Sequence, residues 1–239
     1  ATVSMSVSEL RVTTSNSAAS RPDGAYVLYW MTAFRRATWN FSLQRAVELA
    51  TDWRKPVVVL EALRSDYPWA CDRFHQFIIE GMADNAVRAE ERGLNYWPFV
   101  ERKKGEGRGL LRELSERAAL VVTDDFPCFI VPGQSRALAA KVDAPVLAVD
   151  SSSIVPLSLL GPTVSAAAHL RPRIHKAFAA AWPHRAAAQP EVSRAAARPV
   201  SVPFDLWSGA GDVGAFVNGL PLDATVPPVE ATPGGAGAA

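Results

Sequence analysis

Cysteine is nearly absent: Cys71 and Cys128 are the two thiols among 239 residues. They stand far apart, without a short metal-ligand spacing, which argues against a disulfide scaffold or a zinc cluster and fits a reducing compartment. An excess of either charge is also lacking, since 25 Lys and Arg face 24 Asp and Glu for a net charge of +1. No global field draws such a chain to nucleic acid or to anionic lipid, so any such contact would need a local patch. No apolar run approaches the ~20 residues of a membrane helix, and the first residues lack the basic start and apolar core of a secretory signal. The expected location is cytoplasmic. The first apolar run, 25–31, is followed by neither a GxGxxG nor a GK[ST] loop, so the usual cradles for dinucleotides and triphosphates have no support there. There is no GxSxG elbow. His75, His169, His175 and His184 form no i, i+4 metal-binding pair.

What is present is apolar content, 49% of the chain, arranged in short continuous runs. Residues 25–31, AYVLYWM, form a run long enough for a strand buried on both faces. Trp39, Leu43, Ala46, Val47 and Ala50 then recur at helical spacing, which predicts a helix beginning within a few residues of Met31 and ending near Asp52. PVVVLEAL (56–63) reads as a second buried strand, followed by a polar turn and a helix from about Arg73 to Gly93. Residues 94–100, 118–123 and 145–150 supply three more strands, with helices expected at 109–117 and 133–142. ERKKGEGRG (101–109) reads as a solvated loop. This alternation predicts an α/β fold: a five-stranded, doubly wound parallel sheet of Rossmann-like order 3-2-1-4-5, with residues 25–31 in the middle.

Residues 1–23 read as a flexible arm, 24–150 as the α/β domain, and 151–239 as an irregular extension ending in linker-like PPVEATPGGAGAA. Within the extension, 171–181 is patterned as a helix, whereas 186–198 is low-complexity Ala, Arg and Gln, exposed or disordered. Trp182, Phe204, Leu206, Trp207 and Phe216 either form an exposed docking face or fold back over the sheet.

In open α/β sheets ligands bind beyond the carboxyl ends of the strands, where three loops should meet: 31–40, 63–70 and 124–132. The residues that would line such a site are Met31, Arg35, Asn40, Arg64, Asp66, Asp124, Asp125 and Phe126. Arg35 and Arg36, placed at a helix start, can hold an anionic group or form a solvated pair. Trp39 can stack on a flat heterocycle or pack in the core, and Asn40, a polar residue where the pattern turns inward, must find partners. Asp124 and Asp125 can bind a metal, share a proton or face a flavin-like ring; the blander reading is one helix cap and one solvated carboxylate. No metal site is assigned. Cys128 lies among apolar residues and reads as a buried thiol. Arg171, Arg173, His175, Lys176, Arg185, Arg194 and Arg198 are read as a solvated basic surface rather than a phosphate track.

YVLYWM followed by a Trp-Asn pair, PVVVLEAL, DYPWACDRFHQFIIEGM, RAALVVTDDFPCFIVP, APVLAVDSSSIVPLSLL, HLRPRIH and LPLDATVPPV occur in one order along nearly the whole chain. Together they resemble the N-terminal domain of class II cyclobutane pyrimidine dimer photolyases. The family's acidic EYAAR-type segment is replaced by VSAAA at 164–168. The resemblance implies an α/β domain able to hold an antenna chromophore such as 8-hydroxy-5-deazaflavin, set before a helical domain that binds FAD and the DNA lesion. Sequence of that helical type is not found here. The expectation is therefore an accessory domain of a DNA photorepair (deoxyribodipyrimidine photolyase) system that does not repair DNA alone. FAD is not expected on this chain, a helical FAD-binding domain or subunit is the expected partner, and DNA contact is expected only through it. The alternative is a repurposed α/β enzyme or binding protein acting on a small molecule, with Arg35, Asn40, Asp124 and Asp125 around its pocket.

Overall fold

The architecture is that of a computed structural model, which describes residues 6–209 and 211–238. Its strands are β1 (Val12–Thr14), β2 (Tyr26–Met31), β3 (Val57–Leu63), β4 (Asn95–Val100), β5 (Ala118–Asp124) and β6 (Val146–Val149). The helices are α1 (Phe41–Asp52), α2 (Asp72–Glu90), α3 (Leu110–Arg117), α4 (Val131–Ala139), α5 (Ala167–Ala181) and α6 (Val213–Asn218). Continuous β-branched and aromatic runs make β2, β3 and β5 almost wholly buried, as a central parallel sheet requires. Successive residues of β2 point to opposite faces. Val27, Tyr29 and Met31 pack with Leu43, Ala46 and Val47 of α1, whereas Tyr26 and Leu28 pack with Leu114 of α3 and Leu138 of α4.

The sheet runs β1-β6-β5-β2-β3-β4, parallel except for β1. The five expected strands therefore stand in the expected order, with β2 between β5 and β3, and the sheet has six strands rather than five. The added strand comes from the segment expected to be a flexible arm: Val12 to Thr14 pair antiparallel with Val149 to Leu147 of β6. Buried Arg11 anchors it by donating to the carbonyls of Asp150, Ser153 and Ile154 while lying 3.7 Å from the Phe41 ring centroid. Residues 1–5 of the expected arm lie outside the described residues.

A second correction concerns the start of α1. The helix begins at Phe41, not near Met31, because the intervening backbone is held elsewhere (below) and Asn40 is the N-cap, accepting from Leu43 N at 3.0 Å. The extension also departs from its low-complexity reading. Ala186 and Ala196 are buried against the α1 side of the sheet, and Phe204 and Leu206 pack against the other side. Trp207 and Phe216 join a cluster over α2. The linker-like end lies along α2, where the amides of Gly234 and Ala236 donate to Glu80 and Asp84.

Candidate functional site

At the carboxyl edge of the sheet the expected residues do meet, but mostly to hold one another. Asp124, the last residue of β5, is fully buried. Its Oδ2 accepts the backbone N–H groups of Thr32, Ala33 and Phe34 at 2.9, 2.7 and 2.9 Å, and its Oδ1 accepts the Tyr29 hydroxyl at 2.8 Å. Three consecutive amides aimed at one carboxylate oxygen form an anion nest, here filled from within the protein. Burial and the neighbouring Asp124 charge push the Tyr29 hydroxyl well above its ordinary pKa, so it stays a protonated donor. Asn40 completes the cluster, its Nδ2 donating to the Tyr29 hydroxyl and to the carbonyls of Phe34 and Arg36.

Arg35 does not lie at a helix start. Its guanidinium donates to Glu61 Oε1 and to the Ala62 and Thr32 carbonyls, each within 3.1 Å. Buried Glu61 also accepts from Asn85 at 3.0 Å and from the Tyr96 hydroxyl at 2.6 Å. Met31 is core, and Arg64 and Asp66 pair with each other at 2.6 Å. Asp125 is half-buried, and desolvation together with the nearby Asp150 raises its carboxyl pKa. Phe126 meets Phe34 edge-on at 6.0 Å. Cys128 is exposed rather than buried, because Phe129 takes a left-handed φ of 63° that turns 127–130 outward. Trp69 and Phe129 lie exposed against each other at 5.2 Å. Among the described residues no group of acidic, His and Cys side chains is placed to hold a metal.

The open space lies beside this cluster, on the α3–α4 face. A cleft of about 610 Å³ is lined by Trp30, Arg64, Glu101, Leu111, Leu138 and Val142, with Arg108, Arg112 and Lys141 around it. Its volume falls in the range of small-molecule sites. Glu101 is fixed in position by neutral donors, Ser65 N and Oγ holding its Oε2 at 2.8 and 3.1 Å and Gly107 N its Oε1 at 3.1 Å, and the three cations outnumber this one carboxylate. Gly109, with φ 84°, turns the chain into α3, so the helix starts at the cleft and adds its positive end to three cations. An apolar wall with an indole and a cationic rim suits a flat anionic molecule. Of the residues expected at the site, the cleft includes only Arg64. In the sequence Trp30 stands inside a strand pattern and 101–109 inside a loop pattern; the signal that points to the cleft is the pair Gly107 and Gly109 among basic residues, directly before an amphipathic helix.

A doubly wound α/β unit with its open cleft near the carboxyl edge is thus in place, and comparison with known proteins shows what it is similar to. The chain is 35% identical over 134 residues to deoxyribodipyrimidine photo-lyase of Methanothermobacter thermautotrophicus, a match covering 56% of this chain and 29% of that protein. A bacterial class III photolyase from Agrobacterium tumefaciens shares the fold, with a TM-score of 0.50 over 84% of this chain and 40% of that chain at 18% identity. No family model matches. The chain is thus similar in sequence to part of a photolyase, and the match spans less than a third of that relative's length. No helix among the described residues is long and apolar enough to cross a membrane.

Proposed function

We propose that this segment is the antenna-bearing part of a DNA photorepair system of the class II photolyase lineage, and that the cleft between α3 and α4 holds a planar anionic chromophore of the 8-hydroxy-5-deazaflavin type. The cleft itself carries this reading: Trp30 offers an aromatic surface, and Arg108, Arg112 and Lys141 surround it while Glu101 is held by its own donors. The relation to a photolyase supports the class of process. On this reading the segment does not repair DNA by itself. FAD and the lesion belong to a helical domain or subunit, for which exposed Trp69 and Phe129 at the carboxyl edge offer contact surface.

The alternative of a small-molecule enzyme built on Arg35, Asn40 and Asp124 loses its reagents, because these side chains are already engaged in buried hydrogen bonds. The test is titration of the chain with 8-hydroxy-5-deazaflavin and, separately, FAD, followed by absorption. Stoichiometric binding of the deazaflavin without FAD is expected, weakened about tenfold or more in the double variant Arg108→Ala, Lys141→Ala, a loss of about 1.4 kcal/mol. Absence of deazaflavin binding, or equal binding by the double variant, overturns the assignment.

A further inference from the structure

The opposite face of the molecule carries a second cavity, of about 400 Å³, between the loop before α1, residues 151–153 and the end of α5. Two tryptophans and two arginines line it: Trp39, Trp182, Arg36 and Arg185. Both indoles are partly in solvent, Trp39 52% and Trp182 47% exposed. For Trp39 this exposure is imposed by the backbone. Its φ is 50°, a left-handed state that a bulky side chain rarely occupies. Hydrogen bonds hold it there: Trp39 N donates to the Ala188 carbonyl at 3.1 Å, and Arg36 Nη2 donates to the Trp39 carbonyl at 3.1 Å. A strained residue that turns a large apolar ring outward does not serve the core. It serves whatever the ring touches.

The cations of the cavity are engaged by backbone carbonyls and rings, Arg36 Nε donating to the Trp39 carbonyl at 3.3 Å and Arg185 Nη1 to the Trp182 carbonyl at 3.3 Å. Arg36 otherwise donates to the Ser151 carbonyl, and the Arg185 guanidinium lies 5.0 Å from the Trp182 ring centroid. Among the described residues neither has a carboxylate partner. Indoles stack on any flat base, and guanidinium groups with no acid partner select phosphate by paired N–H donors. We propose that this cavity binds a nucleotide, its base against Trp39 and Trp182 and its phosphate at Arg36 and Arg185. The site shares no lining residue with the α3–α4 cleft and stands whether or not that cleft holds a chromophore. The nucleotide is either free or an unpaired unit of a strand, and the two differ only in what is attached to the phosphate.

Calorimetric titration of the full chain with AMP, adenosine, inorganic phosphate and a short single-stranded oligoadenylate tests this. AMP is expected to saturate at submillimolar concentration, with adenosine and phosphate each about tenfold weaker or more. An oligoadenylate binding well above AMP identifies a strand as the source, and one binding no better identifies the free nucleotide. Trp39→Gly removes the ring and relieves the backbone strain, so the variant should stay folded and lose about tenfold in AMP affinity or more. Arg185→Gln, at an exposed position, should lose a similar factor and serves if Trp39→Gly fails to fold. AMP that does not saturate in the millimolar range, or variants that bind it as the parent does, overturn the proposal.

Discussion

Asp124 and Asn40 show how a single side chain can be conspicuous in a sequence while its task stays hidden. A carboxylate at the end of an apolar strand and an amide at the turn of a helix pattern must both find partners, and that much follows from their chemistry. Which partners they find depends on the path of residues 32–34, which no periodicity encodes; the amides of this loop close on Asp124, so the residues that looked like ligands became scaffold. His75 is a similar case with a measurable consequence. The ring is buried, stacked on Tyr67 at 5.8 Å, with its nitrogens 3.2 and 3.0 Å from the carbonyls of Cys71 and Arg64. Burial lowers its pKa below the ordinary 6.5, against the pull of those two carbonyls. The unfolded chain therefore binds the proton more readily than the folded one. The stability tied to neutral His75 is complete above pH 6.5 and declines as pH falls below it toward the lowered folded value. Urea midpoints at pH 7.5 and 5.5 should fall further for the parent than for His75→Gln, which has no such proton to gain; equal falls would remove His75 from the account.

Elements were legible in proportion to how local their causes are. The runs that became β2, β3 and β5 needed only their own apolar residues, and the body of α1 needed only its helical stripe, whereas its start at Phe41 depended on the path of the loop before it. β1 needed a partner on the far side of the domain: three residues, two of them Thr, become a strand because β6 offers them an edge and Arg11 finds carbonyls at 150–154. The cleft was hidden for a related reason, since the loop 101–109 acquires its role only when α4 stands opposite. Gly24, just before β2, is a close approach of the same nonlocal kind. A Cβ there would lie 2.3 Å from both N and Cα of Ala119, and backbone of a central strand cannot swing aside. Gly24→Ala should cost about 3 kcal/mol through overpacking. By contrast Gly133→Ala, inside α4 with nothing within 4 Å, should stabilise by up to about 1 kcal/mol. Chemical denaturation of the two variants against the parent reads both signs.

Taken as a whole, the molecule manages the two edges of its sheet with the segments whose composition was least informative. An open edge strand is a template for unwanted pairing. β1 covers β6 at one side. At the other side the extension runs past β4, where the Trp207 amide donates to the Pro98 carbonyl, the Asn95 side chain accepts from Val200 N, and the Asn95 amide donates to the Arg198 carbonyl. On the α1 face of the sheet Ala186 and Ala196 are buried, and Val57 N donates to the Ala196 carbonyl at 3.0 Å. Phe204 fastens the cover, meeting the rings of Trp97 and Phe99 edge-on at 5.9 and 5.6 Å. If the extension is an integral part of the core, Phe204→Ala should lower stability by about 2–3 kcal/mol, through lost burial and two lost aromatic contacts, and should open the segment near residue 204 to limited proteolysis before global unfolding. A loosely attached extension would give a neutral substitution and cleavage at the parent rate. The first outcome would mean that the sheet and its extension fold as one unit and that β4 is guarded only while they stay together.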